Sequence, residues 1–242
     1  MIHYHGTPIT PIAAAAEVLQ GRHALVSFAH PEQLEVALAV CQSVILDNGA
    51  FSAWKSGKTI WWPDYFDWVR SVKNHPSFDW AIIPDVIDGN EFDNDELIDS
   101  WPDDLRHVGA PVYHMHESID RLVRLAEYFP RICLGSSGEY ARVGDKKWHQ
   151  RMAEMMAAIC DQNGQPICKL HGLRMLDPAI FGVYPLSSAD STNVAQNIGM
   201  DGRWQNGYAI KDKAWRAVTM ARRIEATNSA EFFKPSPQID LI

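Results

Sequence analysis

Eight short apolar runs alternate along the chain with segments that have the spacing of amphipathic helices, and this alternation limits the possible folds most strongly. The predicted strands are Ile2–His5, Ala24–Ala29, Ser43–Asn48, Trp80–Val86, Val112–His116, Arg131–Ser136, Ile167–His171 and Val183–Ser188. Strands that alternate with helices pair in parallel, and eight of them predict an α/β fold of the (β/α)8 TIM-barrel type. A doubly wound open sheet is the alternative, although no glycine-rich nucleotide-cofactor motif follows the first strand.

Three helices have clear sequence signals. Ser118 can cap the first, and Pro130 follows its end. The second carries an apolar stripe with several methionines and stops at Asn163-Gly164. The third runs from about Lys211 to Glu225. Its expected buried residues are Ala214, Trp215, Val218 and Ala221.

Length and composition indicate an ordinary globular protein. The 242 residues suit a single barrel domain over residues 1–242, with residues 232–242 as an extended tail. No apolar run approaches the roughly 18 residues of a membrane span, and no leader segment is recognisable, so we expect a cytoplasmic protein. Four cysteines lie far apart without a CxxC pair, which favours reduced thiols over disulfides or a zinc site.

The formal net charge of −8 argues against a protein that coats nucleic acid through its overall charge. Contacts with phosphates need a locally positive surface. If this chain handles nucleic acid, it must therefore do so through a patch of basic residues.

Three of the predicted strands end within two residues of a carboxylate, namely Asp47, Asp85 and Asp190. The C-terminal ends of parallel strands in such a barrel share one mouth, where active sites lie. A buried strand has no structural need to end on an acid. The three carboxylates therefore predict acid/base or nucleophilic chemistry at that mouth.

Other polar groups and two glycine turns occupy the remaining strand ends. The polar groups are His5, Ser27, His114, His116, Ser136, Ser137 and His171. The turns Asp47–Phe51 and Leu134–Glu139 let a backbone approach a ligand, either the edge of a planar heterocycle or an anion. A plain strand-to-helix turn is the alternative interpretation of each.

Five segments together resemble the tRNA-guanine transglycosylase family. Leu46-Asp47-Asn48-Gly49-Ala50-Phe51-Ser52 resembles its Asp-Ser-Gly-Gly-Phe-Gln segment. Asp79-Trp80-Ala81-Ile82-Ile83-Pro84-Asp85 is similar to the strand that ends in the base-binding aspartate. Leu134-Gly135-Ser136-Ser137-Gly138-Glu139, His171-Gly172-Leu173 and Tyr184-Pro185-Leu186-Ser187-Ser188-Ala189-Asp190-Ser191 resemble the next three segments in order. The resemblance covers about residues 44–192.

The resemblance implies a base-exchange reaction through a covalent aspartyl-sugar intermediate. Asp190 would be the nucleophile, Asp47 the general acid/base, and Asp85 the acceptor for a guanine-like ring. The remaining residues implied to bind the base are Phe51, Ser136, Ser137, Gly138, His171 and Gly172.

The chain also departs from the tRNA enzymes. Their zinc site needs three closely spaced cysteines and a histidine after the nucleophile, but this chain has no cysteine beyond Cys168. It is much shorter and is more similar to a compact, phage-type branch that places 7-deazaguanines such as preQ0 into DNA. We therefore expect no metal and no cofactor, a 7-deazaguanine base, and DNA rather than tRNA as the partner.

The last predicted helix is the favoured nucleic-acid contact, since such contacts come late in the resembling family. Its basic residues are Lys211, Lys213, Arg216, Arg222 and Arg223. A second basic cluster at Lys146, Lys147 and Arg151 is the alternative. Solvated helix faces would explain either cluster equally well. Trp54, Trp61, Trp62 and Trp204 lie in expected loops and could stack on bases.

A metal-dependent hydrolase of the amidohydrolase type is the main rival. His3 and His5 would lie on one face of the first strand, because side chains alternate along a strand. With His114, His116, His171 and Asp190 they would form a ligand set for one or two divalent metals. A non-catalytic binding subunit and a glycosylase that uses water as acceptor are further alternatives.

Overall fold

The computed structural model of the protein describes residues 1–198 and 212–235, and in these residues every strand pairing is parallel. The strands are β1 (Ile2–Gly6), β2 (His23–Ser27), β3 (Ser43–Asp47), β4 (Phe78–Ile82), β5 (Gly109–Ala110), β6 (Val112–His114), β7 (Arg131–Gly135), β8 (Lys169–Gly172) and β9 (Ser188–Ser191). Their order is β5-β4-β3-β2-β1-β9-β8-β7-β6. The predicted α/β barrel of the TIM type is confirmed.

The two ends of this sheet, β5 and β6, are halves of one stretch of chain interrupted at Pro111. Ala110 pairs with β4, and its carbonyl accepts from the Ile83 N–H at 2.9 Å. The Pro111 carbonyl accepts from the Cys133 N–H of β7 at 2.8 Å. Since proline has no N–H to donate, the ladder breaks there while the chain carries the sheet round into a nearly closed barrel.

Ten α-helices are described in residues 1–198 and 212–235, and most connect successive strands. They are α1 (Ile12–Leu19), α2 (Leu34–Val40), α3 (Ala50–Ser56), α4 (Trp62–Val72), α5 (Glu91–Asp99), α6 (Ile119–Tyr128), α7 (Lys146–Ile159), α8 (Pro178–Phe181), α9 (Asn193–Asn197) and α10 (Lys213–Glu225). The Ser118 hydroxyl accepts from the Arg121 N–H at 3.2 Å, which confirms the predicted cap of α6.

Two apolar cores follow from the two-residue period of the strands. The larger lies between the strands and the helices, and the smaller fills the barrel. The interior residues are Tyr4, Leu25, Ile45, Trp80, Ile82, Ala110, Val112 and Cys133. Two positions after Ile45 comes Asp47, and two after Val112 comes His114. The same alternation therefore directs these polar side chains to the mouth of the barrel.

Several sequence expectations need correction or stay open. The last strand lies at Ser188–Ser191 instead of Val183–Ser188, because the apolar segment before it packs as a buried loop. Trp215 is 56% exposed, so its predicted burial on α10 is wrong. Residues 236–242 of the predicted tail lie outside the described residues, whereas the Phe233 N–H bonds to the Gly164 carbonyl at 2.8 Å. The single-domain boundary stays a prediction.

Across residues 1–198 and 212–235, no helix combines the length and the apolar character that a bilayer span requires.

A buried ion pair joins β6 to the helices outside it. The Arg121 Nη1 lies 2.6 Å from the Glu117 Oε2, and both side chains are fully buried. The same Glu117 oxygen accepts the backbone N–H of His114 at 2.8 Å, while Asn94 donates to the other oxygen at 2.9 Å. Arg121 also reaches Asp95 at 2.8 Å. This network fixes the end of β6 from behind.

Removing the arginine leaves the Glu117 carboxylate buried without its counter-charge. We expect Arg121→Ala to lower the free energy of unfolding by about 3–5 kcal/mol. Arg124→Ala is the matched control, because Arg124 meets the same Asp95 at 3.4 Å on the exposed surface and should cost less than about 1 kcal/mol. Urea unfolding of both variants measures this, and equal small losses would contradict the account.

Candidate active site

The three carboxylates at the strand ends line one cavity of about 600 Å³ at the C-terminal mouth of the barrel. Asp47 ends β3, Asp85 follows β4, and Asp190 lies in β9. Phe51 and Ser136, both expected to bind a base, line the same cavity. Its volume is in the range of small-molecule sites.

Asp47 has an unusual acidity. Burial is the main cause that raises its pKa to about 6, and the charges of Asp190 and Asp85 add to the rise. Hydrogen bonds from the Ser27 hydroxyl and the Gly49 N–H act in the opposite direction, the latter at 3.1 Å. This carboxyl group can therefore exchange a proton near neutral pH.

Gly49 lets the chain turn directly after Asp47. Its φ of 80° lies in the left-handed region that favours glycine, and a Cβ there would lie 3.0 Å from the backbone nitrogen of Ala29. The turn starts α3 at the cavity edge, which places Phe51 in the lining. The glycine of this motif is thus required by the backbone.

Asp85 is held at both of its oxygens. Asn48 donates to Oδ1 at 2.7 Å and also to the Ile83 carbonyl at 2.8 Å, so its amide is fixed on both sides. The Nε2 of His114 lies 2.9 Å from Oδ2. Asp85 is therefore a rigid acceptor with lone pairs left for a ligand.

His114 presents an unsatisfied ring to the cavity. It is only 3% exposed, and its Nδ1 has no hydrogen-bond partner among the described residues. Its Nε2 is within ion-pair distance of Asp85 but lacks the direction of a hydrogen bond. A small rotation of the ring aligns the pair. The resemblance gave this residue no role in base binding.

Asp190 is anchored by the segment that follows β8. Its Oδ1 accepts the backbone N–H of Arg174 at 3.1 Å and lies 3.3 Å from the Nε2 of His171. The side chain is 5% exposed and lines the cavity. These contacts fix the orientation of the carboxylate.

His171 lies beneath Asp190 within the barrel. Its Nδ1 is 2.8 Å from the Ser188 hydroxyl, and its ring packs against Trp80 with centroids 4.9 Å apart. It is fully buried and stands outside the cavity lining. His171 therefore supports the carboxylate, and direct contact with a base is not what its position indicates.

Three other residues expected to bind the base also lie behind the lining. Ser137 makes a 2.7 Å hydrogen bond with the His116 ring. Gly138 has a φ of 55°, and a Cβ there would lie 2.9 Å from the Cβ of His116. Gly172 packs so closely that its Cβ would lie 2.8 Å from the Cβ of Met175. All three lie behind the residues that line the cavity and pack against the wall of the barrel mouth.

Arg174 and Lys55 line the cavity although sequence reasoning gave them no role. Arg174 has a φ of 59°, its Cζ lies 4.3 Å from the centre of the Phe51 ring, and its Nη2 donates to the Ser136 carbonyl at 3.4 Å. A left-handed arginine leaves no signal in a single sequence. Its place two residues after Gly172, close to the His171-Gly172 turn, was the one available hint.

Lys213, Arg216, Arg222 and Arg223, the described basic residues predicted to contact nucleic acid, do not line the cavity. Arg216 is 6% exposed and thus mostly withheld from a polyanion. Arg222 and Arg223 lie in the last turn of α10, whose end reaches the start of β1, since the Asn228 side chain accepts from the Met1 amino group at 2.5 Å. Neither arginine lines the cavity. Lys213 is exposed, and Lys211 and Trp204 lie outside the described residues.

The ligand set of the rival hydrolase is not assembled. Tyr4 points into the barrel, so His3 and His5 on either side of it point outward to the end of α10. His5 meets Glu225 at 2.9 Å, and His3 lies 3.0 Å from the Thr227 carbonyl. In residues 1–198 and 212–235, no group of three or more His, Cys, Asp or Glu residues could hold a metal ion.

Comparisons with known proteins give no relative. No protein-family model matches the chain. No curated protein matches it, and no solved structure matches it.

The raised pKa of Asp47 links stability to pH. Its folded value of about 6 exceeds the ordinary 3.8, so the folded protein binds more protons than the unfolded chain between those values and loses stability as pH rises through them. Asp47→Asn lacks this loss. We expect its stability relative to wild type to increase by about 2–3 kcal/mol from pH 4 to pH 7 and then stay level. Denaturant unfolding across this range measures it, and a pH-independent difference would contradict the raised pKa.

Proposed function

We propose that this protein is a base-exchange transglycosylase, a pentosyltransferase that replaces guanine in nucleic acid with a 7-deazaguanine such as preQ0. DNA is the favoured nucleic acid. The observation that carries the proposal is the convergence of Asp47, Asp85 and Asp190 on one cavity, each in a different environment. One proton carrier, one fixed acceptor and one anchored carboxylate are what such a reaction requires.

The base would be recognised by Asp85. Its two oxygens accept hydrogen bonds from the N1–H and the exocyclic amine of a guanine-like ring, while Asn48 keeps the carboxylate in place. His114 would support this recognition from the neighbouring wall, because its Nε2 lies 2.9 Å from the Asp85 Oδ2. Phe51, 38% exposed, provides an aromatic face for stacking.

Asp190 would attack the sugar. A new bond forms between its carboxylate oxygen and C1′ while the C1′–N9 bond breaks and leaves its electron pair on the guanine. The Arg174 N–H and the His171 ring, which both contact the Oδ1 of Asp190, would keep the carboxylate in position during this step. The incoming base then displaces Asp190 from C1′ and restores the free carboxylate.

Asp47 would manage the proton in both halves of the exchange. It donates a proton to the departing guanine and takes one from the incoming 7-deazaguanine, so that no proton is gained or lost overall. With a pKa of about 6, roughly a tenth of the carboxyl groups carry a proton at pH 7. Both forms are thus accessible, as general acid/base catalysis needs.

The target nucleotide must leave the base stack to reach the cavity. Extruding it from a duplex costs a few kcal/mol, and a single-stranded or mismatched site lowers that cost. The partly enclosed cavity of about 600 Å³ would then take up the extruded nucleotide among the carboxylates. A base that remained paired inside the duplex would not reach the carboxylates.

Replacing the nucleophile tests the proposal. Asp190→Ala should reduce the incorporation of labelled guanine into duplex DNA to background, because no covalent intermediate can form. Glu35→Ala, which removes an exposed carboxylate from α2 on the outer surface, should keep the wild-type rate. Unfolding curves establish that both variants are folded.

Two results would overturn parts of this account. If Asp190→Ala kept the wild-type rate, Asp190 would not be the nucleophile. Label that enters only tRNA, measured in parallel, would keep the chemistry and replace DNA as the substrate.

The proton role of Asp47 gives a separate prediction. The rate of guanine release in the first turnover should fall as pH rises above about 6, because the protonated acid becomes scarce. Asp47→Asn should be slower by about 10²–10⁴-fold and lose this pH dependence. Rapid-quench measurements of released guanine give both profiles, and a variant that keeps the alkaline decline would assign the proton to another group.

A further inference from the structure

The rim of the cavity beside α3 is a row of planar side chains. The Arg174 guanidinium carbon lies 4.3 Å from the centre of the Phe51 ring, and the Phe51 and Trp54 rings are 5.8 Å apart with their planes tilted by 39°. Phe51 is 38% exposed and Trp54 48% exposed. The row therefore begins at the cavity and runs outward along the helix, with its aromatic surface open to solvent.

The same segment is positively charged in an acidic protein. Residues 48–63 contain two lysines, Lys55 and Lys58, and no aspartate or glutamate, although the chain as a whole carries −8. Lys55 lines the cavity. The backbone N–H of Lys58 bonds to the Ala53 carbonyl at 2.9 Å, just after the end of α3. The aromatic row thus has cations beside it.

The backbone of Arg174 adds to this arrangement. Arg174 is the only non-glycine residue among the described residues with a positive φ, at 59°. Glycine adopts this conformation more easily. The Arg174 N–H already serves Asp190, a contact that any residue type could make. The guanidinium over Phe51 is what the arginine contributes beyond a glycine.

We infer that Trp54, Lys55 and Arg174, which form the α3 platform with Phe51 as its inner end beside the target base, bind the unpaired nucleotides that flank the target nucleotide. This inference rests on the proposed function and names the surface that holds its nucleic acid. Exposed aromatic faces stack on unpaired bases, while lysine and arginine side chains meet phosphates. Extrusion of one nucleotide deprives its neighbours of a stacking partner, which the rings of the platform replace.

The occupant is a single strand for a geometric reason. Bases inside a duplex already stack on both faces, so an exposed tryptophan gains no face to contact. The platform also adjoins the cavity, whereas neither Arg222 nor Arg223 lines it. A strand bound on the platform can deliver its nucleotide directly to the carboxylates.

The first test uses fluorescence anisotropy with a labelled 12-nucleotide single strand of mixed sequence. Trp54→Ala should weaken its binding about tenfold, the typical effect of losing one stacked base. Tyr128→Ala is the matched control, because Tyr128 is 75% exposed on α6, away from the cavity lining, and should keep the wild-type affinity.

The cationic part of the platform is tested by salt dependence. Lys55→Ala and Arg174→Gly should each reduce the slope of log Kd against log salt by about 0.7, the value for one lost contact with a single strand. Glycine suits the left-handed backbone at position 174, so this variant should unfold at the same or a higher denaturant concentration than wild type. Arg222→Ala should leave the slope unchanged.

Free guanine, titrated by calorimetry, separates the platform from the proposed function. Trp54 stands outside the cavity lining, so Trp54→Ala should bind guanine like wild type. Unchanged strand affinity in Trp54→Ala and Lys55→Ala, with guanine binding intact, would overturn the platform alone. If Trp54→Ala changed the molecular mass measured by light scattering but left the strand affinity unchanged, the surface would instead be a contact with a second copy of this chain. Wild-type protein that binds neither guanine nor the strand would overturn both proposals.

Discussion

The C-terminal ends of the parallel strands meet at the mouth of the barrel, and this convergence forces three carboxylates into one partly enclosed space. Like charges in such a space are costly to ionise together. The three carboxylates have different surroundings. Asn48 and His114 contact Asp85, and the Arg174 N–H donates to Asp190. Asp47 has the raised pKa, at about 6. Three identical side chains thereby gain three different chemical capacities.

The stability of the fold and the geometry of the site depend on shared contacts. Glu117 accepts the backbone N–H of His114 and pairs with buried Arg121, so the strand end that carries His114 is held from outside the barrel. His171 supports Asp190 from inside the barrel, because its ring bonds to the Ser188 hydroxyl and contacts the Asp190 carboxylate. The carboxylates are therefore set on rigid elements, which keeps reacting groups aligned.

The sequence predicts the barrel well because apolar strands, helical stripes and capping residues all follow local rules, as at Ser118. It also predicts the three acids, since a strand end in a parallel barrel has a known location. Long-range packing decides the rest. The apolar run before Asp190 looks like a strand but is a loop, Trp215 faces solvent, and His3 and His5 point away from the cavity. Arg174 enters the site through a left-handed backbone that composition and periodicity do not encode.

The central claim is that Asp190 bonds covalently to the sugar. Incubation with a guanine-containing oligonucleotide without an incoming base, followed by denaturation, digestion and mass spectrometry, locates any protein–nucleotide bond. The account predicts one adduct, on the peptide that carries Asp190, with the sugar lacking its guanine. An adduct on Asp47 or Asp85, or release of guanine with no adduct at all, would contradict it.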